Sequence, residues 1–137
     1  VGRALSGLRD EGVMVIGSGG FVHNLGDLDW QHPQGPMPPW AAAFARWMRE
    51  KLAEHDIAAL LDWERRAPHA RHAHPTVEHL MPLFVALGAG GDGATARSLH
   101  GQPYDVDAKF AVYYSRLARN DLNYLRFVGS LGFSWRL

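Results

Sequence analysis

A short apolar, β-branched run, Val13-Met14-Val15-Ile16, leads directly into a run of small residues, Gly17-Ser18-Gly19-Gly20. The run is too short for a helix and is bounded by glycines, so it predicts a buried strand. Upstream, Val1, Ala4, Leu5 and Leu8 are spaced like the apolar face of a helix. That helix is expected to cover Val1 to Arg9 and to end at the Asp10-Glu11-Gly12 turn. A helix, a tight turn, a buried strand and a glycine-rich loop, in that order, point to an α/β fold. In open α/β sheets, the loops past the carboxyl ends of the strands hold the ligands. Here that loop continues as Phe21-Val22-His23-Asn24-Leu25.

The rest of the chain adds more helix than strand. A loop rich in Pro, Gly and His runs from Asp27 to Pro39, and Pro38-Pro39 then opens a helix from about Trp40 to Glu54, proline being at home in a first turn. Its expected stripe is Ala43, Phe44, Trp47, Met48 and Leu52. A shorter helix is expected over Ile57 to Trp63, and a histidine-bearing loop over Ala67 to Pro75. Thr76 is placed to cap a helix from Val77 to Leu87 that stops at Gly88, with Pro82 kinking its interior. Gly88 to Gly93 reads as a flexible connection. Phe110 to Leu117, Tyr124 to Val128 and Phe133 to Leu137 have strand-like composition.

Composition removes several functions. The 137 residues suit one domain. Fourteen basic residues balance 14 acidic ones, so no broad positive field exists to attract nucleic acid or anionic lipid. The absence of cysteine excludes disulfides, thiolate zinc sites and a cysteine nucleophile. No apolar run approaches the roughly 20 residues of a membrane span, and no signal peptide is visible. The expectation is a cytoplasmic protein, monomeric or homo-oligomeric, with a small-molecule substrate and neither nucleic acid nor membrane as partner. The chain starts at Val1 inside an apolar pattern and reads as a piece of a longer one.

Three groups of residues carry candidate chemistry. His23 would stand at the mouth of a crevice, beside glycines that let backbone approach a ligand, where an imidazole exchanges protons near neutral pH. On residue types alone, a structural turn with a surface histidine is the simpler reading. In His74-Pro75-Thr76-Val77-Glu78-His79, a histidine sits beside a carboxylate in the first turn of the expected helix. Adjacent helical residues point about 100° apart, so Glu78 and His79 are poor joint ligands for one ion; the bland alternative is a helix start with acidic residues suiting the dipole. The cluster His69, His72, His74 and His79 matches no standard zinc spacing, and most of its members are expected to be solvated. The five tryptophans read as core residues rather than a stacking platform.

Taken together, these blocks resemble one family. Gly12 to Leu25, the Pro39-Trp40 helix, Ala67-Pro68-His69-Ala70-Arg71 and His74 to Leu83 resemble, in order and separation, the signature blocks of the class III extradiol ring-cleavage dioxygenases of LigB type. The DOPA extradiol dioxygenase-like branch is the nearest. The likeness runs from Val1 to about Gly90, and Gly129 to Leu137 resembles the family's closing strand, whereas Ser98 to Leu122 is divergent. The resemblance implies a mixed central sheet flanked by helices, with residues 1–137 forming the C-terminal part of a single catalytic domain. It implies that His23 is the acid/base acting on the catechol hydroxyl and bound oxygen, and that His79 is a metal ligand. Asn24 and His74 are expected to line the substrate pocket. The implied cofactor is Fe(II), with Zn(II) proposed for some members, and O2 is the co-substrate. The other metal ligands would lie in an absent N-terminal half, so the chain alone is expected to be inactive. The competing expectations are a non-catalytic binding or signalling module of the same fold and a metal-dependent hydrolase.

Overall fold

The computed structural model describes residues 1–27, 31, 36–92, 96–98, 109–115 and 124–129. The chain opens with a 3-10 helix, Gly2–Glu11, ended by Gly12 in the left-handed region at φ 80°. The Gly12 N–H reaches Arg9 O and the Val13 N–H reaches Leu8 O, so the turn satisfies carbonyls that the helix leaves open. The apolar spacing gave the element and its end, but could not distinguish a 3-10 winding from an α-helix.

Strand β1 is Val15–Gly20, two residues later than the apolar run predicted and made largely of the expected glycine loop. Val13, Met14 and Ile16 are exposed, Ile16 by 56%, while Gly17 is buried. A Cβ at Gly17 would stand 2.4 Å from the Pro82 carbonyl oxygen. The buried side of the strand is therefore the side with no side chain, because a helix backbone lies directly on it. Burial of the β-branched run was the wrong expectation for this reason.

Helix α1, Pro39–Ala53, starts at its proline and buries Ala41, Phe44, Ala45, Met48 and Leu52, the i, i+3, i+4 pattern of one helix face. Trp47 and Ala43 are only half-buried. The segment expected as one helix from Ile57 breaks into α2, Ile57–Leu61, and α3, Trp63–Arg66. Asp56 caps α2 by accepting the Ala59 N–H at 2.9 Å. The break at Asp62 swings Trp63 inward, where its ring meets Phe44 edge-on at 5.9 Å. The expected histidine loop contains a short helix, α4, Ala70–Ala73.

Helix α5 covers Met81–Gly90, not Val77 to Leu87. Pro82 lies in its first turn, where a missing N–H costs nothing, so no kink arises. Thr76 does not cap it; its hydroxyl donates to Glu78 Oε1 at 2.7 Å. The residues from Glu78 to Leu80 form a turn instead. The helix also passes Gly88, so the connection begins only at Gly91. Phe44, Met48, Leu60, Leu80 and Leu83 are fully buried at the centre of the core, each adding about 1.5–3 kcal/mol by leaving water.

Three further strands, β2 (Ala96–Ser98), β3 (Lys109–Ser115) and β4 (Tyr124–Gly129), join β1 in the order β1-β3-β4-β2. β1/β3 and β3/β4 are antiparallel and β2/β4 is parallel. The register places Gly17 opposite Val112 and Tyr113 opposite Arg126. Helix α5 packs on β1 and β3 and against the first 3-10 helix. Helices and a mixed sheet together make the chain α/β. Two strands fall within two residues of the expected ranges, β2 was not anticipated, and the strand expected over Phe133 to Leu137 lies outside the described residues. Among the described residues, no helix is long and apolar enough to cross a membrane.

Candidate active site

β1 ends where two loops meet. The Gly20 N–H donates to the His79 carbonyl at 3.1 Å, tying the strand end to the turn before α5. The chain then buries Phe21 and Val22 and emerges at His23, whose N–H donates to Ala73 O at 2.8 Å. These backbone bonds bring together two imidazoles 56 positions apart in sequence. The His23 and His79 rings stack with centroids 3.5 Å apart and planes 14° from parallel. Neither ring is in the core, and the His79 side chain is 46% exposed.

Glu78 stands beside the pair. Its Oε1 lies 3.6 Å from His79 Nδ1 while accepting the Thr76 hydroxyl. That hydroxyl, followed by the carboxyl's own backbone, holds the Glu78 pKa below the usual carboxylate value, so the group is a carboxylate at neutral pH. An open groove of about 400 Å³ borders it, walled by Ile16, Met81, Pro82 and Val85. The wall is apolar, and Glu78 is the charged side chain on its rim.

His74 faces the other way. It is only 3% exposed, with Phe44 and Trp63 each 5.6 Å from its ring. Its Nε2–H donates to the Phe21 carbonyl at 2.9 Å. Nδ1 makes no hydrogen bond of normal length, although the Thr76 backbone is near enough to favour the charged ring slightly. Burial outweighs both contacts and pushes the His74 pKa below 6.5, so the ring is neutral. A group neutral in the fold and protonated in the unfolded chain gives the unfolded state more protons, so stability rises with pH. Stability should therefore be full above about 6.5 and fall as pH drops from there toward the folded pKa. Replacing His74 with Leu should flatten this decline in the thermal midpoint of the full-length protein. It should also lower stability at pH 8 by about 1–3 kcal/mol, because the buried hydrogen bond between His74 and Phe21 O is lost. An unchanged slope would contradict the assignment.

Asn24, expected to face the substrate, has both polar atoms engaged with backbone groups. Its Nδ2 donates to His72 O at 2.9 Å and its Oδ1 accepts the Gly26 N–H at 3.1 Å. The structure thus brings His23 and His79 together, sets His74 behind them and uses Asn24 to close the following turn. His72 was read from sequence only as one of a cluster of histidines expected to be mostly solvated. Its ring pairs with the Asp27 carboxylate and stacks on Trp40 at 4.0 Å and 17°. Its partners lie 45 and 32 positions away, a separation that no local spacing reveals.

A metal fits this site only in part. The His79 imidazole, half in solvent with a carboxylate near Nδ1, is a suitable nitrogen donor, and a carboxylate on the far nitrogen is the usual support for such a ligand. His23 stacks face to face on it, which suits a neighbour of the ion better than a second donor. Among the described residues, no group of three His, Asp or Glu side chains is placed to hold an ion, so further donors would come from outside the described residues.

A family model described as the catalytic LigB subunit of aromatic ring-opening dioxygenase matches residues 1–112. The match runs past Gly90 and into the segment that read as divergent. Proteins named 4,5-DOPA dioxygenase extradiol are similar to this chain. The one from Portulaca grandiflora is 42% identical over 101 residues, covering 73% of this chain and 36% of that protein. The one from Beta vulgaris is 37% identical over 107 residues, covering 73% and 37%. The one from Escherichia coli strain K12 is 37% identical over 95 residues, covering 65% and 33%. The chain thus spans about a third of the length of the curated relatives it matches.

Proposed function

Because the chain belongs to the LigB family of aromatic ring-opening dioxygenases, we propose that it supplies the proton-transfer half of an extradiol dioxygenase site. That site opens the ring of a catechol with O2 in the full-length protein. The observation that carries this reading is the His23–His79 stack at 3.5 Å, at the carboxyl end of β1. The names of the relatives support a DOPA-like catechol as the substrate.

In this reading, His79 is one ligand of a non-haem metal, its Nδ1 side supported by Glu78. A metal held by His79 would supply the redox chemistry that lets O2 react with a catechol. Fe(II) is the reading of choice, since Zn(II) has no redox chemistry with which to do so. His23, next to the ligand but not bound to the ion, takes a proton from a catechol hydroxyl and later returns one to a departing oxygen. The neutral His74 holds the loop at Phe21 O. It serves as a positioning residue behind the pair rather than as part of the pocket wall, and Asn24 does the same for the turn. The apolar side of the groove beside Glu78 offers the aromatic ring a surface to lie against. Ring opening beside the hydroxyls gives a semialdehyde of the muconic type with both oxygen atoms incorporated. Nothing in the geometry or the comparisons favours a non-catalytic module or a hydrolase.

The test is direct. The full-length protein, loaded anaerobically with ferrous iron and then given DOPA, should take up one O2 per DOPA and form a yellow product. Oxygen uptake that does not depend on DOPA, or DOPA left intact, would refute the reading.

A further inference from the structure

Helix α4 and the residue after it, which take no direct part in the proposed reaction, grip the loop that carries His23 at successive points. His74 Nε2–H donates to Phe21 O at 2.9 Å. Ala73 O accepts the His23 N–H at 2.8 Å. His72 makes two attachments: its carbonyl accepts from Asn24 Nδ2 at 2.9 Å, and its ring holds the Asp27 carboxylate. The Gly26 N–H bonded to Asn24 Oδ1 at 3.1 Å makes the turn from Asn24 to Asp27 one unit, so both attachments fix the same body. Trp40, in the first turn of α1, lies flat against the His72 ring at 4.0 Å and 17°. The indole sets the plane of the ring, and the plane sets where Nε2 points.

We propose that His72 is a positioning residue for His23: it locks the chain as it leaves His23 by holding Asn24 and Asp27 against α4, with Trp40 as its backstop. The inference rests on the reading of His23 as the acid/base. The pair is a poor candidate for a stability device. Its side chains are 43% and 41% exposed, and a polar link so wet contributes little to folding. Its effect is geometric. The backbone of His23 is held on one side by its bond to Ala73, and the turn that follows, held by His72, fixes the chain on the other side. Displacing a reacting group by about 1 Å can cost on the order of a hundredfold in rate.

His72→Phe keeps a ring for Trp40 to stack on and the carbonyl for Asn24, and removes only the link to Asp27. In the full-length, iron-loaded protein with DOPA, it should lower kcat about 10-fold, a modest share of that range. KM should stay within about twofold and iron content should be unchanged. Placed in a His23→Ala background, the same substitution should cost less than about twofold, because a residue acting through His23 has nothing left to act on. Should His72→Phe fail to fold, Asp27→Ala cuts the same link from the exposed side and carries the same expectation. Equal losses in the two backgrounds would show a general structural role and overturn the proposal, as would no loss in either. Wild-type turnover in His23→Ala alone would overturn this proposal and the reading of His23 together, a result distinct from both.

Discussion

Replacing His79 with Ala in the full-length protein is expected to abolish iron retention and DOPA-dependent oxygen uptake while leaving the fold intact. The two halves of that expectation have separate physical grounds. The His79 side chain is 46% exposed, and the bond that its residue makes to β1 uses the carbonyl oxygen, which alanine keeps. Substitution at such a wet position costs about 0.5 kcal/mol or less, to which loss of the stack on His23 can add about 0.5–1.5 kcal/mol. The metal loses far more. Removing a mere outer partner of a ligand costs roughly 10–100-fold in affinity, and removing the ligand itself must exceed that. Glu78, one residue earlier, is not a ready replacement, since its carboxylate is bound to Thr76 on the Nδ1 side of the missing ring. Iron content by elemental analysis, thermal midpoint and oxygen uptake measured on one preparation separate the possibilities. A variant that keeps both its iron and its turnover would remove His79 from the ligand set.

How much of this was legible in the sequence depends on the range of the interaction involved. Helix α1 was readable because its face repeats every three or four residues and its proline marks the start. Strands β3 and β4 were readable in extent, whereas β1 was shifted and β2 was missed, and the strand order was hidden, since register is settled between segments far apart. Helix α5 was misplaced for a local reason with a distant cause. Thr76 and Glu78 look like a helix start, yet the Thr76 hydroxyl binds the Glu78 carboxylate, and the His79 carbonyl is drawn to Gly20. The turn that results is what lets His79 face His23 instead of pointing away along a helix. The site residues themselves were named through family resemblance. Residue types alone left His23 as a surface histidine, and nothing in them placed His74 in the core. His74 looked like its neighbours His69 and His72, and only the ring of Phe44 and Trp63 around it makes it a buried hydrogen-bond donor. The clasp of His72 on Asp27 was illegible for the same reason.

His23→Ala carries the second large expected effect, and its pattern should differ from that of His79→Ala. Loss of a positioned acid/base typically costs about 10²–10⁴-fold in rate, so kcat should fall within that range. Iron content should not change, because His23 lies against the face of the His79 ring, at 3.5 Å and 14°, and does not share its in-plane donor position. The loop should also survive. The His23 attachment to Ala73 is through its backbone N–H, and Phe21, Asn24 and Asp27 keep their own links to His74 and His72. The variant therefore separates proton transfer from metal binding, which the His79 variant cannot do. A small exogenous base such as imidazole should restore part of the lost rate if the missing function is proton transfer, since the space vacated beside His79 is open to solvent. Full turnover without His23, or a deficit accompanied by loss of iron, would mean that the stacked imidazoles do not divide the work into one ligand and one base.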